Sequence, residues 1–217
     1  MKRIFGYIAC AVFIVLFAGC GGDGVWFTVK CSGLAPRQTY YLTPSDDTRH
    51  YYLKGKSDGQ GRIGFRGTIE HPVYANICNS LGARVVSFYV EQGTVKIDCG
   101  ESGCVVQGTP SNDAYMTYML TADSILAWYL AQPEATTEMA EAYERQIDSL
   151  DEALWQNNTD KILGLYLFTT EQINVLSDAE LAEWSERFAP RMQQHPYMNA
   201  VREKLNSEKK ISEKESF

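Results

Sequence analysis

The feature that most constrains this chain is a change of apolar period at Gly108-Thr109-Pro110. Before it, apolar or β-branched runs are short, at 26–31, 39–42, 51–53, 63–65, 73–78, 85–90, 95–99 and 105–107. Turn residues separate them, including Ser57-Asp58-Gly59-Gln60-Gly61 and Glu91-Gln92-Gly93. That pattern belongs to half-buried strands. Seven to eight such strands across 25–108 predict an antiparallel β-sandwich or barrel-like sheet. After the switch the period is helical. Pro110 opens a helix that repeats Tyr115, Tyr118, Met119, Ala122, Ile125, Leu126 and Tyr129 on one face until Pro133. A second, from about residue 134, turns Met139, Tyr143, Ile147, Leu150 and Leu154 inward. A third, over 159–169, is apolar nearly all round and is expected at the centre of the helical half. Ser177-Asp178-Ala179-Glu180 is a capping box for a fourth, and Pro196 starts a fifth that ends near Leu205. Residues 206–217 are rich in Lys, Glu and Ser and are expected to fray as a disordered polar tail. The expected class is α+β, with a β domain at 25–108 and a bundle of about five helices at 109–205.

The amino end has a different logic. Lys2 and Arg3 precede an uncharged apolar run over 4–17, then Ala18, Gly19 and Cys20, which is the order of a secretory signal. The run is shorter than the roughly 20 apolar residues a transmembrane helix needs. Phe17-Ala18-Gly19-Cys20 resembles a bacterial lipobox, although an aliphatic residue is commoner where Phe17 stands. On that resemblance residues 1–19 are removed and Cys20 becomes a lipidated first residue, the membrane being a partner only through this anchor; a plain secretory signal is the alternative. Residues 20–24 form a flexible spacer. The expected location is the cell envelope, at the outer membrane first, with the choice between periplasmic and external leaflets open.

Composition narrows the function classes. At 45% hydrophobic and 22% charged the chain is neither disordered nor polytopic. Without Lys2 and Arg3, 18 basic residues face 27 acidic ones, which argues against nucleic acid as a ligand. The acidic excess lies in the helical half, at net −10 over 109–217 against +1 over 21–108. It reads as a solvated face, with a groove for a cationic partner as the sharper alternative. Tyr40, Tyr41, Tyr51 and Tyr52 read first as half-buried strand residues and second as a ligand face.

With Cys10 in the signal and Cys20 lipidated, Cys31, Cys78, Cys99 and Cys104 remain in an exported, oxidising setting. Cys99 and Cys104 bracket a four-residue hairpin loop and are the candidate disulfide, two packed free thiols being the other possibility. His50, His71 and His195 lack ligand spacing, so neither a metal nor a cofactor is expected. No serine elbow, phosphate loop, zinc-protease helix or Cys-x-x-Cys is present, and no catalytic residue is assigned. Carboxylate pairs on the helices leave a hydrolase as the weakest alternative.

Four stretches carry a resemblance. They are Phe27-Thr28-Val29 with Gly33; Asp58-Gly59-Gln60-Gly61-Arg62-Ile63-Gly64-Phe65-Arg66-Gly67 leading to His71-Pro72; Phe88-Tyr89-Val90-Glu91-Gln92-Gly93-Thr94-Val95-Lys96-Ile97; and Val106-Gln107-Gly108-Thr109-Pro110-Ser111-Asn112-Asp113. With Asn157-Asn158-Thr159-Asp160-Lys161-Ile162-Leu163-Gly164, their order resembles the domain of unknown function that precedes thioredoxin-like (alkyl hydroperoxide reductase / thiol-specific antioxidant) modules in lipoproteins of Bacteroidetes-type bacteria. The thioredoxin-like module itself is not in this chain, so the resemblance transfers no redox residue. It implies a lipid-anchored, non-catalytic binding or interaction module, or an accessory partner of a separately encoded thioredoxin-like oxidoreductase. Ligand and oligomeric state stay open.

Overall fold

The computed structural model describes residues 24–45, 50–134 and 136–215, with side chains through 207. The signal segment, Cys20 and most of the spacer lie outside the described residues. Eight strands come first: β1 (Val25–Ser32), β2 (Thr39–Pro44), β3 (Leu53–Lys56), β4 (Ile63–Ile69), β5 (Val73–Asn79), β6 (Arg84–Val90), β7 (Gly93–Gly100) and β8 (Gly103–Gln107). Helices follow: α1 (Pro110–Leu130), α2 (Thr137–Gln156), α3 (Ile162–Thr170), α4 (Asp178–Arg187), α5 (Pro190–Gln193) and α6 (Met198–Glu215). The class is α+β.

The strands make two open four-stranded sheets, β4-β1-β7-β8 and β3-β2-β5-β6, rather than a closed barrel. Nor is the pairing wholly antiparallel, because β1 and β7 run parallel from Phe27 opposite Gly93 to Ser32 opposite Asp98. Parallel neighbours need a crossover connection, and here the chain visits the second sheet between β1 and β7. Alternation aims Phe27, Val29, Cys31, Phe65, Val95 and Ile97 of the first sheet and Leu42, Ala75, Ile77, Val86 and Phe88 of the second into one buried cluster. Asp58 shapes the β3–β4 connection by accepting from the Gln60 and Arg62 amides at 2.8 and 2.9 Å. Gly61 there has φ +73°, and a Cβ on it would stand 2.0 Å from the Leu34 carbonyl oxygen.

The other face of the second sheet is covered by helices. Tyr74 of β5 and Tyr89 of β6 point outward and pack with Trp155, Leu163, Leu165, Phe168, Leu181 and Met198 in a second cluster. α3 is its centre: Ile162, Leu163, Leu165 and Phe168 are fully buried, as an all-round apolar helix must be. Gly164 lets α3 meet the end of α2, since a Cβ there would lie 2.3 Å from the Asn158 carbonyl oxygen.

A polar joint fastens the helical layer to the sheets. The buried Glu91, just after β6, accepts from the Ser111 amide at 2.7 Å and the Ser111 hydroxyl at 3.0 Å, capping α1 from outside the helix. Asn112 accepts from the Tyr89 amide at 2.9 Å and donates to the Tyr89 carbonyl at 2.7 Å. Leu163 at the start of α3 donates its amide to the Ser111 hydroxyl at 3.4 Å.

Several boundaries differ from the expected ones. β3 lies at Leu53–Lys56 rather than 51–53, because its pairing with β2 runs through Gly55 and Lys56, which carry no apolar signal. α2 begins after Thr136, whose hydroxyl accepts from the Met139 amide at 3.3 Å. The polar tail at 206–217 is corrected most: α6 continues to Glu215. Its Lys and Glu residues are strong helix formers, and polarity alone does not end a helix.

Asn112→Ala should strip the Tyr89 backbone of both partners in a buried setting and cost about 2–4 kcal/mol in a chemical denaturation midpoint analysis. A Cys99→Ser/Cys104→Ser double variant should lose about 2 kcal/mol, the chain-entropy value for so short a loop.

Candidate functional site

The groove where α1, α2 and the end of α3 meet the outer face of β5 and β6 is a cleft of about 340 Å³. Its wall is tyrosine. Tyr74 and Tyr89 come from adjacent strands at 4.8 Å between ring centroids, and Tyr166 of α3 lies 4.4 Å from Tyr74. Tyr115 and Tyr118, three residues apart on α1, stack at 5.8 Å. Two carboxylates stand among these rings, Asp151 from α2 and Glu171 at the carboxyl end of α3, with Arg84 of β6 as a further lining residue.

The electrostatics follow from the geometry. Tyr118 donates its hydroxyl to Asp151 at 2.6 Å. Burial, then this hydrogen bond, raise the Tyr118 phenol above its ordinary value. Tyr89 is raised by burial and by the neighbouring phenols and Glu171, and Tyr115 by burial, Tyr74 and Glu171. Glu171 is itself raised, first by desolvation and then by the charge of Asp151. Among the described residues no cation pairs with either carboxylate. The cleft offers aromatic faces, phenol oxygens and two carboxylates that repel each other.

A second cleft, of about 310 Å³, gathers His71, His195, Glu91 and Arg191 at the junction of sheets and helices. The two imidazoles, 124 positions apart in sequence, meet with ring centroids at 5.3 Å. Spacing along the chain gives no hint of this. Three of its polar groups, His195, Glu91 and Arg191, are already engaged, however. His195 bonds the Pro72 carbonyl through Nε2 at 2.8 Å and accepts the Tyr197 amide at Nδ1 at 3.1 Å, which puts its proton on Nε2. Glu91 holds the start of α1, and Arg191 donates to the Asp160 carbonyl at 2.7 Å. These contacts build the joint. Among the described residues no group of three or more His, Cys, Asp or Glu could hold a metal ion.

Cys99 and Cys104, opposite each other on β7 and β8, form a disulfide at the hairpin end, with Cα atoms 4.0 Å apart. Cys31 and Cys78 are buried free thiols, and burial with the nearby charge of Asp98 pushes Cys31 up to about 12. Tyr40, Tyr41, Tyr51 and Tyr52, read from the sequence first as half-buried strand residues and only second as a ligand face, do not line the cleft: Tyr40 is buried and accepts the Ala35 amide at 3.0 Å, while Tyr41 and Tyr51 contact each other edge-on at 5.2 Å. Cys20, the candidate lipid site, lies outside the described residues. Among them, no helix is long and apolar enough to cross a membrane.

Desolvation lowers the His195 pKa below its usual 6.5, against the opposing effect of the Pro72 bond. A depressed imidazole contributes stability above its unfolded value that is lost as pH falls through the folded one. Stability should therefore drop as pH falls below about 6.5, and His195→Gln should flatten that slope in denaturant titrations at a series of pH values.

No protein-family model matches the chain, and no curated protein matches it.

Proposed function

We propose that this chain is a lipid-anchored, non-catalytic binding module of the cell envelope. In this reading its two sheets pack as a sandwich and its helical layer supplies one wall of the binding site. The observation that carries it is the tyrosine cleft, concave, polar and built from five separate elements, with two carboxylates that lack a cationic partner among the described residues. The lipobox-like Phe17-Ala18-Gly19-Cys20 supports the anchor, and the resemblance to domains that precede thioredoxin-like modules supports an accessory role.

A second reading, an accessory partner of a separately encoded thioredoxin-like oxidoreductase, is favoured by the Cys99–Cys104 disulfide. It sits beside the exposed residues Glu101, Ser102 and Gly103, where another protein's thiol has access. Reduction by a monothiol-trapped thioredoxin-like protein should then leave a mixed disulfide on Cys99 or Cys104, visible by non-reducing electrophoresis.

Asp151 and Glu171 are also the pair a hydrolase would use. The binding reading predicts no turnover of glycoside, ester or peptide substrates by the purified protein, together with saturable binding that Tyr115→Ala/Tyr118→Ala weakens. Hydrolysis abolished by Glu171→Gln would replace it with an enzyme.

A further inference from the structure

We propose that the tyrosine cleft takes an organic cation, an ammonium or guanidinium group that donates hydrogen bonds to Asp151 and Glu171 and lies against the faces of Tyr115 and Tyr118. This rests on the binding reading and names its ligand class. Three independent features converge on positive charge. The first is chemical: ionised carboxylates only accept, so Asp151 and Glu171 give the cleft acceptors that N–H donors satisfy. The second is the wall, since stacked and edge-on phenol rings present negative faces to a cation, more so once water is displaced. The third is the position of Glu171 directly after α3, at the negative end of the helix dipole, which adds to its charge. A neutral polyol would leave the two negative charges without a counter-charge, and an anion would face them directly. Arg84, which also lines the cleft, is exposed and makes no ion pair with either acid.

The cleft holds Glu171 partly desolvated beside Asp151, so a bound cation must favour its ionised form and release a proton when binding occurs near the titration of this carboxyl. The charged and titratable groups that line the cleft with Glu171 are Tyr74, Arg84 and Tyr89 from the sheet, Tyr115 and Tyr118 from α1, Asp151 from α2 and Tyr166 from α3.

Isothermal titration of the purified protein with agmatine, with the lysyl peptide acetyl-Gly-Lys-Gly-amide and with methyl β-glucoside tests this directly. Agmatine stands for a free amine, the peptide for a basic side chain of another protein, and the glucoside for a neutral ligand of similar bulk. The expected result is saturable binding of at least one cation, weakened about tenfold or more by Glu171→Gln and by Asp151→Asn. Glu138→Gln/Glu144→Gln on the exposed side of α2 should leave it unchanged. On the acid side of neutrality the heat should vary with the ionisation enthalpy of the buffer, marking proton release by the raised Glu171 carboxyl, and should cease to vary in Glu171→Gln. Thermal melts of each variant establish that it is folded. Binding of the glucoside without either cation would overturn the cation assignment and leave the binding module standing. Cation binding indifferent to Glu171→Gln and Asp151→Asn would place it on the general acidic surface and also overturn the assignment. No binding by any of the three probes would overturn the cation assignment, and absence of binding across a wider ligand screen would remove the binding module with it.

Discussion

Everything in this molecule depends on how a helical layer that is strongly acidic is held against a sheet. The apolar surface of α3 supplies most of the attraction, but hydrophobic contact is not directional. Direction comes from Glu91, Ser111 and Asn112. Glu91 satisfies the amide of Ser111 that the first turn of α1 leaves open, and Asn112 pairs with both backbone groups of Tyr89, so α1 leaves the sheet at one angle and register. His195, which lines the same junction as Glu91, repeats the device by bonding the Pro72 carbonyl ahead of β5. A buried polar joint is costly when half satisfied, and here every buried side-chain polar atom among the described residues has a partner.

The cleft follows from that joint. Tyr89 donates its backbone to Asn112 and its ring to the cleft, so the residue that positions α1 also forms the wall. Tyr115 and Tyr118 sit one and two turns further along the helix that Glu91 caps, and α3, tied through Leu163 to Ser111, carries Tyr166 and ends at Glu171. Side chains drawn from β5, β6, α1, α2 and α3 thus share one groove because the elements share one anchor. The carboxylates it contains are there at an electrostatic cost, visible in the raised Glu171, and such costs are tolerated where a ligand offsets them.

The order of elements was legible in the sequence because periodicity reports burial one element at a time. The switch at Gly108-Thr109-Pro110, the apolar third helix and the capping box at Ser177 all have local causes, and the fold places them where those causes act. What depends on distant partners was not legible. The parallel β1–β7 pairing leaves no mark on either strand, β3 is built on Gly55 and Lys56 by its neighbour, and α6 outruns the polar composition that suggested fraying. The cleft shows the same division. Tyr115 and Tyr118 were recognisable as one inward helix face, and Asp151 as part of an acidic helix, but nothing local links them to Tyr89 or singles out Glu171. The Phe88–Ile97 and Val106–Asp113 stretches that carried the family resemblance contain Glu91 and Asn112, whose meeting only the folded chain reveals.

Residue-resolved amide hydrogen exchange tests the central claim most directly, namely that the polar joint makes sheets and helices one cooperative body with the cleft already formed. The slowest amides of α3, Leu165 and Phe168, should open with the same free energy and the same denaturant dependence as Ile77 and Val95 in the sheet core. Opening of the α3 amides at distinctly lower free energy than the strands would show two independently unfolding layers, and the joint would then not hold the site.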